Sequence, residues 1–382
     1  MQAMQHENEH EDQGPKPRGI FNKIKPEEDR FEMWAKIAIA LAVLMLVTYG
    51  VALLKLGKPS VVAHATIIPM LGMLTLPMAF WGLLRTLFQP PVIRRTRTIG
   101  FGALLVVGML GNRPVMSAPV STEDYATAVR FELPFNGRWV TLAGGQERET
   151  NYHATTAMMR WGYDFAPLVD GSRFEGDGSK LEQHHCFGAP VYAPAAGEVV
   201  RAVGSEVDQI PGEFDPVSVL GNHVILRVAE GEYLFLAHLK RGSLKVSGGD
   251  VVEAGQQVAE CGNSGRTYTP HLHVHLQNSP EVPIAESLPL YFENYLADGE
   301  AVERGMPVGS PDVETQVGEI VERQEPWPAA EASAAADAEE AAEANEAAEA
   351  EEATEGEVAD EAALADEQAD EQVDEPADDA AE

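Results

Sequence analysis

Hydrophobic positions fall into three textures along the chain. Ile37–Leu54 is an unbroken run of 18 uncharged residues between Lys36 and Lys55, with Trp34 just ahead of it. Pro59–Leu84 adds 26 more, with Trp81 near its end and Arg85 directly after. Either run supplies the ~20 residues that a bilayer-spanning helix needs. Thr98–Asn112 is shorter, at 15 uncharged residues. It extends about 22 Å at the helical rise of ~1.5 Å per residue, so it crosses a membrane only if Arg113 snorkels and the helix runs on toward Pro119. The pattern therefore predicts a membrane region at 33–118, with spans at about 34–55, 61–84 and 98–118.

Positive charges orient these spans. Lys16, Arg18, Lys23, Lys25 and Arg30 precede the first, and Arg85, Arg94, Arg95 and Arg97 separate the second from the third. Both groups are expected in the cytoplasm, which sends everything after about residue 118 to the outside of a multi-pass protein of the cell membrane, periplasmic or extracellular. No secretory signal peptide is visible, because the first apolar run starts late and is followed by a second.

From Ala126 to about Ala297 short β-branched and aromatic runs alternate with Gly, Pro, Asn and Asp. The runs are Val129–Phe135, Arg138–Leu142, Pro190–Ala193, Gly197–Val203, His223–Val228, Tyr233–Leu239, Gln257–Cys261 and His271–Leu276. Strands this short and this regularly punctuated predict an all-β domain of antiparallel hairpins over 126–297, followed by a linker at 298–327. Residues 1–32 are polar and aperiodic, a disordered cytoplasmic lead-in, and the Ala/Glu-rich stretch 328–382 is expected to be a disordered acidic tail.

Composition changes this picture in two places. The formal net charge of the 382 residues is −34, but Glu325–Glu382 holds 23 acidic residues and no Lys or Arg, leaving −11 for residues 1–324. The acidity thus belongs mainly to the tail, for which the sequence names no partner. It argues against nucleic acid, which requires a basic patch. The only cysteines, Cys186 and Cys261, exclude a disulfide-stapled scaffold and a four-Cys zinc module. Outside the reducing cytoplasm a disulfide between them is allowed.

Eight of the eleven histidines lie in the β region: His153, His184, His185, His223, His238, His271, His273 and His275. In Pro270-His271-Leu272-His273-Val274-His275-Leu276, strand alternation puts three imidazoles on one face and three aliphatic side chains on the other. Three aligned imidazoles in an otherwise apolar strand suit a metal ion. Zn²⁺ takes His nitrogen with carboxylate, and catalytic zinc keeps three protein ligands and one open position. A polar strand face hydrogen-bonded to a loop is the structural alternative.

Gly262-Asn263-Ser264-Gly265 followed by Pro270-His271-Leu272-His273 resembles the C-terminal signature of the lysostaphin-type (LytM-like) zinc metallopeptidases. Further elements are similar and in order: Gly188–Gly197, Gly221-Asn222-His223-Val224-Ile225, Ala237-His238-Leu239 and the Val246–Val258 hairpin. The resemblance covers roughly 150–280. It implies an antiparallel LytM-like β fold and a Zn²⁺-dependent endopeptidase acting on peptide crosslinks in peptidoglycan. It implies nothing about the spans or the tail, and the membrane anchor is expected from the apolar runs alone. His273 would be a metal ligand, and His271 and His238 the non-ligand histidines that activate water and stabilise the charged intermediate. His238 as a buried strand histidine is the alternative for that position. His275, one step beyond the family pair, is expected behind the ligands or at the substrate cleft, or else at a solvated strand end.

The other half of the site departs from the family, in which a His-x-Gly-x-Asp element supplies two ligands. The matching stretch is Arg160-Trp161-Gly162-Tyr163-Asp164. Asp164 fits the carboxylate ligand, but a guanidinium has no lone pair to offer a cation. His153, in Asn151-Tyr152-His153, is the expected replacement, with His184 or His185 as alternatives. If 160–164 is extended, Arg160 shares a face with Asp164, where it could orient that carboxylate or bind a substrate carboxylate; a surface arginine is the other reading. A non-hydrolytic LytM-like domain that binds wall peptide or activates another hydrolase is the competing function. A membrane scaffold recruiting partners by its tail leaves the histidines without a role.

Overall fold

A computed structural model describes residues 32–88, 94–112, 117–282, 284–312, 315 and 317–328. The lead-in expected at 1–32, apart from Glu32, and the acidic tail, apart from Pro328, lie outside the described residues. The chain divides into two compact units, Met1–Met116 and Ser117–Glu382.

The first unit is helical. Helix α1 is Met33–Leu53, and α2 (Lys58–Val62) passes through a π-helical turn, Ala63–Ile67, into α3 (Ile68–Phe88). Pro59 sits in the first turn of α2, where its missing N–H costs nothing. Helix α4 is Arg95–Asn112. It meets α3 backbone to backbone: a Cβ added to Gly111 would lie 2.4 Å from Gly72 Cα, so only glycine allows the contact. Glu32, at the head of α1, pairs with Arg85 at 2.6 Å, Arg97 at 2.6 Å and Arg94 at 3.8 Å. That cluster gathers the start of α1, the end of α3 and the start of α4 at one end of the unit.

Two helices, Met33–Leu53 and Lys58–Phe88, are long and apolar enough to cross a membrane. The expected third span differs. Arg95 and Arg97 occupy the first turn of α4, and residues 117–120, where that span was to end, are not helical. There the Ala118 N–H donates to the Ala154 carbonyl of the β unit instead.

The second unit contains β1 (Trp139–Ala143), β2 (Tyr163–Pro167), β3 (Pro190–Tyr192), β4 (Gly197–Val203), β5 (Asn222–Ala229), β6 (Glu232–Leu239) and β7 (Val251–Val252). They are followed by β8 (Gln257–Glu260), β9 (Leu272–Gln277), β10 (Ser287–Leu288), β11 (Phe292–Ala297), β12 (Glu300–Gly305) and β13 (Ile320–Arg323). Eleven of these form one sheet in the order β12-β11-β13-β1-β2-β9-β6-β5-β4-β7, with β10 on β9, while β3 and β8 pair separately. All named pairings are antiparallel. Alternation sends Tyr163 and Phe165 of β2, Leu234 and Leu236 of β6, and Leu272, Val274 and Leu276 of β9 into one core with Phe131, Leu133, Phe135 and Trp139. The opposite face of β9 carries His273, His275 and Gln277, and that of β2 carries Asp164 and Ala166, the latter packed with Val140 and Leu142.

Three expectations change. Val129–Phe135 is not a strand: its apolar residues fill the core, but apart from one bridge, Phe131 to Phe292, its backbone bonds to neighbouring segments, as Glu132 N–H does to the Pro194 carbonyl. Pro134, lacking an N–H, cannot continue a ladder. The stretch 298–327 is not a linker, since β12 and β13 lie within it and β13 runs between β11 and β1. The unit also begins before 126: Ser121 donates through its N–H and hydroxyl to buried Glu286, and Tyr125 and Thr127 donate to buried Glu232.

Cys186 and Cys261 form a disulfide with Cα atoms 5.5 Å apart, next to the β3–β8 pair. Replacing both by serine is expected to cost about 2–4 kcal/mol, because the cross-link restricts the unfolded chain. Urea unfolding of the oxidised protein and the double variant measures the difference, and equal midpoints would deny the bond a stabilising role.

Candidate metal centre

Three neighbouring strands build the site. In the antiparallel β2–β9 pair Asp164 stands directly opposite His273, and in the β9–β6 pair His273 stands opposite Ala237. Asp164 lies on the face of β2 away from the aromatic core, and His273 and His275 project on the corresponding face of β9. Gly162 precedes β2 where a Cβ would lie 3.1 Å from His273 Cε1, so the bare backbone there makes room for the imidazole.

His238 enters from the end of β6 with φ +60°, a left-handed conformation that bends the strand beside the site. For a non-glycine residue that geometry costs about 1–2 kcal/mol, and such strain collects at functional sites. His238→Gly is therefore expected to be more stable than His238→Ala by about 1 kcal/mol, the reverse of the usual order in a strand. Denaturant unfolding of the two variants tests this; an Ala variant at least as stable as Gly would refute the strained backbone.

The His153 imidazole comes from a 3₁₀ turn, Tyr152–Thr155, capped by Asn151. Asn151 is buried; its amide N–H₂ donates to the Gly145 carbonyl at 2.9 Å and the Gly162 carbonyl at 3.1 Å. Its Oδ1 accepts from the His153 N–H at 3.1 Å. One side chain thus ties the turn to the entrance of β2. His153 Nε2 reaches 3.0 Å from Asp164 Oδ2, off a hydrogen-bonding direction, and this buried nitrogen has no hydrogen-bond partner. Tyr152 donates its hydroxyl to the same carboxylate oxygen.

Arg160 does not share a strand face with Asp164. It follows a second 3₁₀ turn, Ala157–Met159, in a helical conformation, and its guanidinium donates to the Ala118 carbonyl at 3.2 Å and Glu123 at 3.3 Å. A contact with a substrate carboxylate would compete with Glu123. His184 is also engaged elsewhere, with Nε2 2.9 Å from the Gly178 carbonyl and its ring against Phe174.

Among the described residues the cluster able to hold a metal ion is His153, Asp164 and His273, whose ligand atoms lie within 4.8 Å of one another. His273 Nδ1 stands 2.7 Å from Asp164 Oδ1. Two imidazole nitrogens and one carboxylate are the donor set of many catalytic zinc sites, and His153 Nε2, buried without a hydrogen-bond partner, has a lone pair to offer a cation. The residues fit a zinc ion.

The electrostatics are uneven. Burial would raise the Asp164 pKa, but the charges of His153 and His271 outweigh it and hold the carboxyl well below its usual range. Burial pushes His273 down to about 4. Burial, then repulsion from His271 and His273, also holds His238 well below the ordinary histidine value. For His271 burial acts the same way, but the charge and hydrogen bonding of Asp164 and a bond to the Thr269 carbonyl prevail, and its pKa rises.

His238 and His271 face each other with ring centroids 4.8 Å apart. His238 Nδ1 lies 2.9 Å from the Ser264 carbonyl, and His271 Nδ1 lies 2.8 Å from the Thr269 carbonyl. A carbonyl only accepts, so both Nδ1 atoms carry hydrogen, and in the neutral rings each Nε2 keeps its lone pair. His271 Nε2 is 3.6 Å from Asp164 Oδ1. The Gly-Asn-Ser-Gly motif acquires a reason here: Ser264 orients His238 through its carbonyl, while buried Asn263 holds Thr267, which bonds His271. His275 is fully buried behind His273, neither at a solvated strand end nor in the wall of an open cleft. Tyr152, Asn151 and Gln277 are site residues that sequence reasoning did not single out; only the polar Asn151-Tyr152 lead hinted at the first two.

Fold and donor set together define an antiparallel β domain with a candidate His-Asp-His metal centre and two flanking histidines. Residues 178–284 match the model of peptidase family M23, so the chain carries an M23 domain of the LytM type. The matched region includes His238, His271 and His273; His153 and Asp164 lie upstream of it. No curated protein matches the chain. Among solved structures, a zinc-containing peptidase from Vibrio cholerae is 19% identical, over 46% of this chain and 39% of that one, with a TM-score of 0.26. This chain therefore spans well under two thirds of that protein. The catalytic domain of the prophage-encoded M23 protein EnpA from Enterococcus faecalis is 21% identical over 41% and 93%, with a TM-score of 0.27. The catalytic domain of lysostaphin from Staphylococcus simulans is 26% identical over 33% and 73%, with a TM-score of 0.22.

Proposed function

We propose that the protein is a membrane-anchored, zinc-dependent metalloendopeptidase that hydrolyses peptide bonds in peptidoglycan crosslinks. The observation that carries this reading is the convergence of His153, Asp164 and His273 on one point beside two histidines whose Nδ1 atoms are held by backbone carbonyls. The M23 match supports the same reading. Bound by His153 Nε2, an Asp164 oxygen and His273 Nδ1, a zinc ion would supply Lewis acidity at the scissile carbonyl and lower the pKa of water. His271 and His238, locked by their Nδ1–H bonds, offer Nε2 atoms to take a proton from the attacking water and return it to the leaving amine. Tyr152 steadies the Asp164 carboxylate through its hydroxyl.

Two apolar helices of membrane-spanning length support the anchor, and the Glu32–arginine cluster supports an up-down-up arrangement whose basic end faces the cytoplasm. In that arrangement α4 leads outward and the β unit meets the wall. The disulfide agrees with such a compartment.

Incubating the full chain with purified peptidoglycan tests the reading. New free amines should appear, disappear with a chelator and return with Zn²⁺. A zinc-loaded protein that binds wall material without releasing amines would overturn it in favour of a non-hydrolytic wall-binding domain.

A further inference from the structure

Behind the candidate ligand His273 a line of polar side chains runs through the buried face of β9. His273 Nε2 lies 2.9 Å from His275 Nδ1, His275 Nε2 lies 3.3 Å from Gln277 Oε1, and the Gln277 amide N–H₂ donates to the Ser279 carbonyl. The three side chains recur every second residue, so one strand face aligns them. All three are buried, and His275 stacks on Phe235 with ring centroids 4.4 Å apart.

We infer that His275 and Gln277 are positioning residues that fix the tautomer of His273, so that Nδ1 presents a lone pair to the metal. The inference rests on the metal-centre reading and assigns direction to a chain of hydrogen bonds. A carbonyl only accepts, so the Gln277 atom beside Ser279 is its nitrogen and Oε1 faces His275. Oε1 also only accepts, so His275 Nε2 carries hydrogen and, in the neutral ring, Nδ1 is the acceptor. His273 Nε2 must then donate. Its Nδ1 is left as the lone-pair atom, 2.7 Å from an Asp164 oxygen that is itself an acceptor. Two acceptors held that close repel each other, and a cation beside them relieves that repulsion.

Partners of this kind behind a metal-binding histidine typically change metal affinity by 10–100-fold. His275→Phe keeps the ring that stacks on Phe235 and removes the acceptor. It should weaken zinc binding by about that factor in chelator competition, with the Co²⁺ absorption spectrum altered. His275→Asn, whose Oδ1 can stand in for Nδ1, should restore most of the affinity. Gln277→Leu, one link further out, should weaken binding less. Nitrogen NMR of the metal-free protein gives a readout independent of metal: His273 Nε2 should carry hydrogen in wild type and lose that preference in His275→Phe.

Wild-type zinc affinity in His275→Phe, or a neutral His273 protonated at Nδ1 alone, would overturn the inference. Should His275→Phe fail to fold, wild-type NMR and Gln277→Leu decide it. If wild type binds no zinc, the metal-centre reading fails, while the tautomer measurement still tests the relay.

Discussion

Alanine at His271 or His238 is expected to leave zinc in place and remove about 10²–10⁴-fold of turnover, the usual share of general acid–base groups, whereas alanine at His273 removes the metal itself. The geometry separates the two classes. His271 and His238 spend their Nδ1 atoms on the carbonyls of Thr269 and Ser264, while His273 turns Nδ1 toward Asp164. Losing one of three ligands empties the centre; losing a flanking histidine does not. Metal content by mass spectrometry, set beside amine release from wall material, reads both effects on the same samples. Full activity in all three variants would refute the peptidase reading.

His153→Ala should weaken zinc binding as severely as His273→Ala does, because the 3₁₀ turn brings His153 Nε2 to Asp164 without a hydrogen-bond partner of its own. Arg160→His in that background should restore nothing, although it recreates the family spacing four residues before Asp164. Position 160 lies in a turn with its side chain directed at Ala118 and Glu123, so an imidazole placed there has no path to the carboxylate. Isothermal titration with Zn²⁺ distinguishes the outcomes. Recovery by the double variant would mean that the turn can reopen into a strand, and unchanged affinity in His153→Ala would remove His153 from the ligand set.

Much of this was legible in the chain. The alternation in His271–Leu276 placed imidazoles on one face and aliphatic side chains in the core, as β9 does. Strand periods survive in sequence because one face is buried. What the pattern could not carry were contacts made by turns. Asn151 and Tyr152 act through a 3₁₀ turn with no periodicity, and the bend at His238 is a backbone conformation that histidine rarely adopts. A shared face for Arg160 and Asp164 requires 160–164 to be extended, yet Gly162 marks where the turn ends and β2 begins. The strands after Ala297 leave little trace in the sequence because β12 is largely exposed, without the alternation of a half-buried strand.

The place of β13 sets a timetable. β1 is among the first strands of the sheet to be made, but its outer neighbour, β13, is the last. At a synthesis rate of ~5–20 residues per second, the edge of β1 waits on the order of ten to thirty seconds for its partner. During that interval Trp139 and Val140 present an unpaired strand edge, the kind of template that recruits other chains. A fragment ending where the M23 match ends, at residue 284, never closes it. Such a fragment keeps the ligands and both flanking histidines, yet it should gather into aggregates that the chain through Arg323 avoids.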